Sequence, residues 1–395
     1  MKARFVFSLI SSLLSFAGTV VGQSHAPDAT RWEERLREAI TRAASRNPEL
    51  AAMEARIEAA RHRVPQAMAL PDPEIEVGIK DVPPSDFSLS RDDFTMEMIA
   101  ARQRFPGFGK RESRRRSAAA EVDAVAAGHV LHLRSLAAEV ADAYFAIAEL
   151  DSRIEILEKS GERLRHAADS AMERYRVGKG PQADVLRANV ETTSLEERLS
   201  TLRAERRKEA ARFNALQFLS PDAPVPPVAL APTDPAVGKR EELVRKAEEE
   251  SPAVAQAAAG LRRAEEEVRL GRLERRPDFT AMTYYARRQN FEDLAGASIA
   301  FNLPFAQSKR LSERVAEAEA DLSAARADLE AVKNDLRRGI EQAYADLERN
   351  GFQLRLYRDS ILPQAETNYR AAAEAYAVGQ IDFLTFVRSA LDLDT

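Results

Sequence analysis

The chain is built twice. Asn47-Pro48-Glu49-Leu50 returns as Ser251-Pro252-Ala253-Val254, and Pro71-Asp72 returns as Pro277-Asp278. Phe105-Pro106, followed by Lys110-Arg111, returns as Leu303-Pro304, followed by Lys309-Arg310. Ala143-Tyr144 reappears as Ala343-Tyr344, and Tyr175-Arg176-Val177-Gly178 as Tyr376-Ala377-Val378-Gly379. The order is kept and the offset stays at roughly two hundred residues, far beyond the period of a solenoid module. Each half reads as a helix, two strands, a very long helix and a return helix. The expected division is a first repeat over residues 31–220, a Pro-rich linker over 221–240 and a second repeat over 241–395. The second return helix is about twenty residues shorter than its twin, because only Phe383 to Thr395 follow Asp382. A truncated product is one reading of that difference.

The helices are long. No proline interrupts the stretch from Gly109 to Val177. Leu133, Leu136, Val140, Ala143, Ile147, Leu150, Ile154, Leu157, Leu164, Ala168, Ala171 and Tyr175 follow in three-four steps, a heptad stripe. At 1.5 Å per residue such a helix runs for about 100 Å. Its twin opens at Pro304, suited to a first helical turn, and carries Val315, Ala318, Leu322, Ala325, Leu329, Val332 and Leu336. Pro363 should bend or break it. Gly178 suits a left-handed helix cap, and Val185, Ala188, Thr192, Leu195, Leu199 and Leu202 begin a further heptad. Helices alone would fit a dimeric coiled-coil rod.

The strands argue against the rod. Ile75, Val77 and Ile79 share one face of Glu74–Lys80, and Phe94, Met96 and Met98 one face of a second short strand. Phe279 to Ala286 and Ala297 to Leu303 form the second pair. Such lengths and alternation suit tilted outer-membrane strands. Four strands cannot close a barrel, and open edges in lipid leave backbone groups without partners. Three copies would supply about twelve strands, enough to enclose a lumen.

Composition narrows the classes. Charged residues make up 31% and mean hydropathy is −0.40, which excludes a bundle of membrane helices. Net charge is −5, so nothing calls for nucleic acid. The absence of cysteine removes disulfides, thiolate metal sites and Cys nucleophiles. Lys2 and Arg4 precede a largely apolar run from Phe5 to Val21, and small residues follow, which reads as a signal peptide over residues 1–22. No catalytic constellation, metal site or cofactor site is expected. His129 and His132 share a helix face but lack a third ligand nearby. Met96 and Met98 fit lipid-facing or packing positions better than soft-metal contacts. Gly107 and Gly109 lack any nucleotide fingerprint.

Ala69-Leu70-Pro71-Asp72-Pro73-Glu74, Gln103-Arg104-Phe105-Pro106-Gly107-Phe108-Gly109-Lys110-Arg111, and Tyr175-Arg176-Val177-Gly178-Lys179-Gly180 with Asp184-Val185-Leu186 resemble motifs of the TolC family of outer-membrane efflux proteins. Tyr376-Ala377-Val378-Gly379-Gln380 with Asp382-Phe383-Leu384 resembles the second copy of the last. The middle motif has the form seen near heavy-metal exporters. The resemblance implies a mainly α protomer with a small β part. It would be a homotrimer with a 12-stranded β-barrel in outer-membrane lipid and a helical barrel in the periplasm. It implies a periplasmic adaptor and an inner-membrane RND pump as partners, and a passive duct for metal cations or drugs. It places adaptor docking at Val177, Gly178, Val378 and Gly379, and a possible pore gate at Asp184 and Asp382. A periplasmic adaptor or a coiled-coil scaffold without channel activity is the alternative.

Overall fold

The computed structural model describes residues 31–84, 87–228, 238–303 and 308–393. The proposed signal peptide and Pro304 lie outside them. In chain order the elements are α1 (Arg31–Arg46), α2 (Pro48–Met68), β1 (Glu74–Lys80), β2 (Met96–Phe105), α3 (Lys110–Arg176) and α4 (Gln182–Leu216). The second half supplies α5 (Arg240–Glu250), α6 (Pro252–Leu273), β3 (Asp278–Arg287), β4 (Leu294–Asn302), α7 (Ser308–Leu356), a π-helical turn (Tyr357–Ile361), α8 (Leu362–Ala377) and α9 (Phe383–Leu391). The α3 helix has 67 residues, as the proline-free stretch requires. The π-turn immediately precedes α8, whose first turn contains Pro363. Proline removes an amide donor, and the widened turn takes up the break.

The backbone divides into two units. One comprises residues 51–131 and 245–337 and contains the sheet. All four strands pair antiparallel in the order β1-β2-β3-β4, so β1 and β4 are its edges. Directly paired residues share a face. Val77 pairs with Ile99 and Ile99 with Tyr285, while Ile75 pairs with Ala101 and Phe279 with Phe301. One face is therefore largely apolar, and it is open: Val77 is 76% exposed and Ile299 63%. The opposite face carries Glu74 and Glu76, both paired with Arg102, and a small cluster of Met98, Ala100 and Ala286.

The second strand differs from its expected frame. It begins at Met96 and runs to Phe105, not from Phe94 to Met98. Asp92 Oδ1 accepts the Phe94 amide at 3.0 Å, an Asx turn that holds Phe94 out of the sheet. Met98 pairs with Gly78, so Met98 and Met96 lie on the face opposite Val77. They are packing residues there, and Ile99 and Ala101 supply the outward stripe.

The strand-to-helix junction is held by one carboxylate. Asp278 Oδ1 accepts from Lys110 Nζ at 2.7 Å and from the Gly107 amide at 2.8 Å, and Oδ2 accepts from Arg104 at 2.8 Å. Lys110 also donates to the Arg276 carbonyl at 2.8 Å and is buried. A buried ammonium is tolerated only with such full pairing. Below the junction, α3 and α6 are joined by Arg262–Asp123 and Arg263–Glu121 ion pairs.

Among the described residues, the other unit comprises 31–50, 132–228, 238–244 and 338–393. Leu136, Val140, Ala143, Ile147 and Phe213 form its first core with Leu36 and Ile40, which realises the heptad stripe of α3. The segment that follows α4 is tied down. Asp151, paired with Arg206, accepts the Val228 amide at 3.0 Å.

Candidate functional site

Two hairpins end this second unit, α3–α4 and α8–α9, and their turns are copies. Lys179 donates its amide to the Arg174 carbonyl at 2.8 Å and Gly178 to Tyr175 at 3.0 Å. Gln380 donates to Ala375 at 2.8 Å and Gly379 to Tyr376 at 3.0 Å. Both are Schellman closures, which need a left-handed residue after the helix. Gly178 (φ +72°) and Gly379 (φ +81°) supply it. Val177 and Val378 precede them and are 63% and 70% exposed.

Behind the turns the hairpins share a core. Leu164, Ala167, Ala171, Val185 and Ala188 of the first meet Tyr376, Phe383, Phe386 and Val387 of the second. Tyr376 stacks on Phe386 with centroids 5.2 Å apart and meets Phe383 edge-on at 5.6 Å.

The tie between the turns is Arg174. Its guanidinium donates to the carbonyls of Tyr376 and of Ala377, the latter at 3.2 Å, and to that of Lys179 at 3.2 Å. It also lies over the Tyr376 ring, 4.9 Å from the centroid. The last turn of α8 has no basic residue of its own. Arg174 gives its C-terminal carbonyls a cation at the negative end of the helix dipole. A side chain at Gly379 would lie 3.0 Å from the Arg174 guanidinium, which would have to shift by a few tenths of an ångström, so φ is the main reason for glycine here and the close guanidinium adds to it.

The two acidic candidates stand in different surroundings. Asp184 is in the first turn of α4 and faces the Tyr376 phenol. Burial, and then the Asp184 charge, push the Tyr376 hydroxyl above its ordinary pKa. That hydroxyl is buried without a well-formed hydrogen bond among the described residues. Asp382 caps α9, its Oδ1 accepting the Thr385 amide at 2.7 Å. This bond holds its carboxyl below the usual range. Arg174 and Tyr376 escaped sequence reasoning as functional residues. The repeat contained a signal, because Arg174 aligns with Ala375 where the neighbouring tyrosine, valine and glycine are kept.

The chemistry elsewhere is plain. His132 faces Glu49 at 3.1 Å, and no cluster of three His, Cys, Asp or Glu residues suits a metal among the described residues. Among them, no helix is long and apolar enough to cross a membrane.

The outer membrane efflux protein family profile matches residues 39–217 and 243–393. This chain belongs to the outer membrane efflux protein family. A curated relative, protein CyaE of Bordetella pertussis, is 28% identical over 253 residues, 60% of this chain and 52% of the relative. The match therefore spans about half of that relative's length. The cobalt-zinc-cadmium resistance protein CzcC of Cupriavidus metallidurans is 24% identical over 357 residues, 88% of this chain and 81% of the relative. Among solved structures, the outer-membrane channel OprN superposes with a TM-score of 0.75 at 18% identity, covering 95% of this efflux protein and 92% of OprN. At that identity the likeness concerns the fold. The expected resemblance and fold class are borne out, and the efflux protein's place is the outer membrane. A periplasmic adaptor or a coiled-coil scaffold is set aside.

Proposed function

We propose that this efflux protein is the channel subunit of a tripartite RND-type system, a homotrimer whose lumen carries solutes from the periplasm to the exterior. The observation that carries the reading is the sheet: one exposed apolar face and two edges unpaired among the described residues, in a chain of this family. Lipid tolerates the apolar face but not the edges, so closure with sister chains follows. The turns at Val177, Gly178, Val378 and Gly379 are the docking points for a periplasmic adaptor, which links the channel to an inner-membrane pump. Asp184 and Asp382 line the gate at that end. Metal cations are the preferred cargo, supported by the CzcC relative, with drugs second. The duct is passive: the pump supplies the energy, and the chain performs no reaction and needs no cofactor.

Two measurements test this together. Purified protein in planar bilayers should give stepwise conductance, and a strain lacking it should become sensitive to cobalt, zinc or cadmium. No conductance from a membrane-inserted oligomer would overturn the channel; unchanged sensitivity to all three would overturn the metal cargo.

A further inference from the structure

The outward face of the sheet changes character at its helix end. Phe105 stacks on Phe279 with centroids 4.9 Å apart, and Phe301 lies 6.4 Å from Phe279. All three share the face of Val77 and Ile299. Phe108, in the turn before α3, comes within 6.5 Å of Phe279 and is 80% exposed. Exposed aromatics at the end of an apolar band suit the boundary between hydrocarbon and headgroups.

Positive charge accumulates at the same level. Lys and Arg against Asp and Glu number three to none in residues 104–111, four to two in 269–278 and two to none in 308–310. The whole chain carries net −5, and the other end of the sheet is acidic overall, two to five in 80–97 and two to two in 287–293. The surplus is only partly neutralised. Lys110 and Arg104 share the single carboxylate of Asp278. Arg276 donates to the Phe108 carbonyl at 2.9 Å, and Arg111 to the Met68 carbonyl at 2.6 Å, acceptors without formal charge. Among the described residues, Arg111, Arg275, Arg276 and Lys309 form no ion pair. Arg275, Arg276 and Lys309 are exposed. The Arg276 guanidinium thus stands beside Phe108, where the apolar band gives way to charge.

We propose that this collar binds anionic phospholipid in the periplasmic leaflet. The phosphodiester takes Arg275 and Arg276, whose planar forks match its oxygens, and the acyl chains lie on Phe108, Phe279 and Phe301. A headgroup with net negative charge uses the surplus fully, whereas a zwitterionic one brings its own ammonium. A free phosphate would leave the exposed rings without a role. Attraction of basic segments to an anionic membrane surface acts only within a Debye length, so the collar also fixes how deep the sheet sits. This rests on the channel reading, which puts the helix end of the sheet on the periplasmic side, and adds to it the lipid that the junction selects.

Full-length protein in mild detergent is stripped of lipid and titrated with phosphatidylglycerol or phosphatidylethanolamine of identical acyl chains, and bound lipid is counted by native mass spectrometry. The unaltered protein should retain phosphatidylglycerol about tenfold better, and high salt should shrink the difference. Arg275 makes no hydrogen bond through its side chain among the described residues, so Arg275→Gln tests the charge without touching the fold and should lower the preference severalfold. Adding Arg276→Gln should abolish it. Phe108→Ala should weaken both lipids alike, and Lys80→Gln, at the opposite end of the sheet, should change neither. Equal retention of the two lipids by the unaltered protein, or a preference that Arg275→Gln leaves intact, overturns the collar while leaving the channel standing. Displacement of the bound lipid by inorganic phosphate overturns phospholipid as the occupant. A protein that inserts into vesicles of neither composition contradicts the channel reading itself.

Discussion

Arg174 of the first hairpin lies over the Tyr376 ring of the second, 4.9 Å from its centroid, and donates to the Tyr376 and Ala377 carbonyls. One side chain therefore ties together two turns that are otherwise copies. Arg174→Ala removes a charged donor from helix-end carbonyls, a loss of about 1–3 kcal/mol locally. The expected outcome is faster amide exchange over residues 376–383 and higher single-channel conductance. Arg174→Lys keeps the charge but not the planar fork, and should recover only part of the protection. Unaltered exchange in Arg174→Ala would remove the tie.

Gly178 and Gly379 share a backbone conformation but not surroundings. A β-branched residue at either position is strained by about 1–3 kcal/mol. At Gly379 it also meets the Arg174 guanidinium, whereas nothing lies within 4 Å at Gly178. Gly379→Val should therefore destabilise the tip more than Gly178→Val. Thermal melting of the two variants checks the order. If Gly178 carries adaptor contact, Gly178→Val should reduce cross-linking to the adaptor with little change in melting.

Much of this fold could be read in the chain. Ile75, Val77 and Ile79 alternate strictly, and they share one exposed face. The α3 stripe from Leu133 to Leu150 is buried as its heptad requires. Two kinds of feature were hidden. The frame of β2 depends on an Asx turn at Asp92, and local alternation of Phe94, Met96 and Met98 imitated a strand one face out of phase. The role of Arg174 depends on carbonyls about two hundred residues away, which no local pattern encodes. Tyr175 continues the apolar stripe in sequence, yet it is exposed, because the helix ends at the next residue, Arg176, where the stripe runs out.

The outward face of the sheet sets a third expectation. Val77→Asp places a carboxylate among Ile75, Ile99 and Tyr285 in lipid, at a cost that reaches about 2–4 kcal/mol for basic residues at the bilayer midplane and is smaller for acidic ones. The yield of outer-membrane oligomer should fall severalfold. Glu76→Gln, on the opposite face, should leave it near normal. Equal yields from both variants would contradict the assignment of faces.

Acid should loosen the tip through Asp382. The Thr385 amide stabilises its ionised form, so the folded pKa is below that of the unfolded chain. The cap's contribution is fully present above the unfolded value of about 3.9 and is lost as pH falls through the lowered folded one. Amide protection over residues 383–391, corrected for intrinsic exchange, should decline in that acidic window. Asp382→Asn keeps a capping oxygen that does not titrate, and its profile should stay flat.

The most direct test of the whole account is imaging of detergent-solubilised particles of the full chain. The expected particle has three-fold symmetry, a twelve-stranded ring and a continuous hollow axis through the helices. A closed, water-soluble monomer with no opening would contradict it.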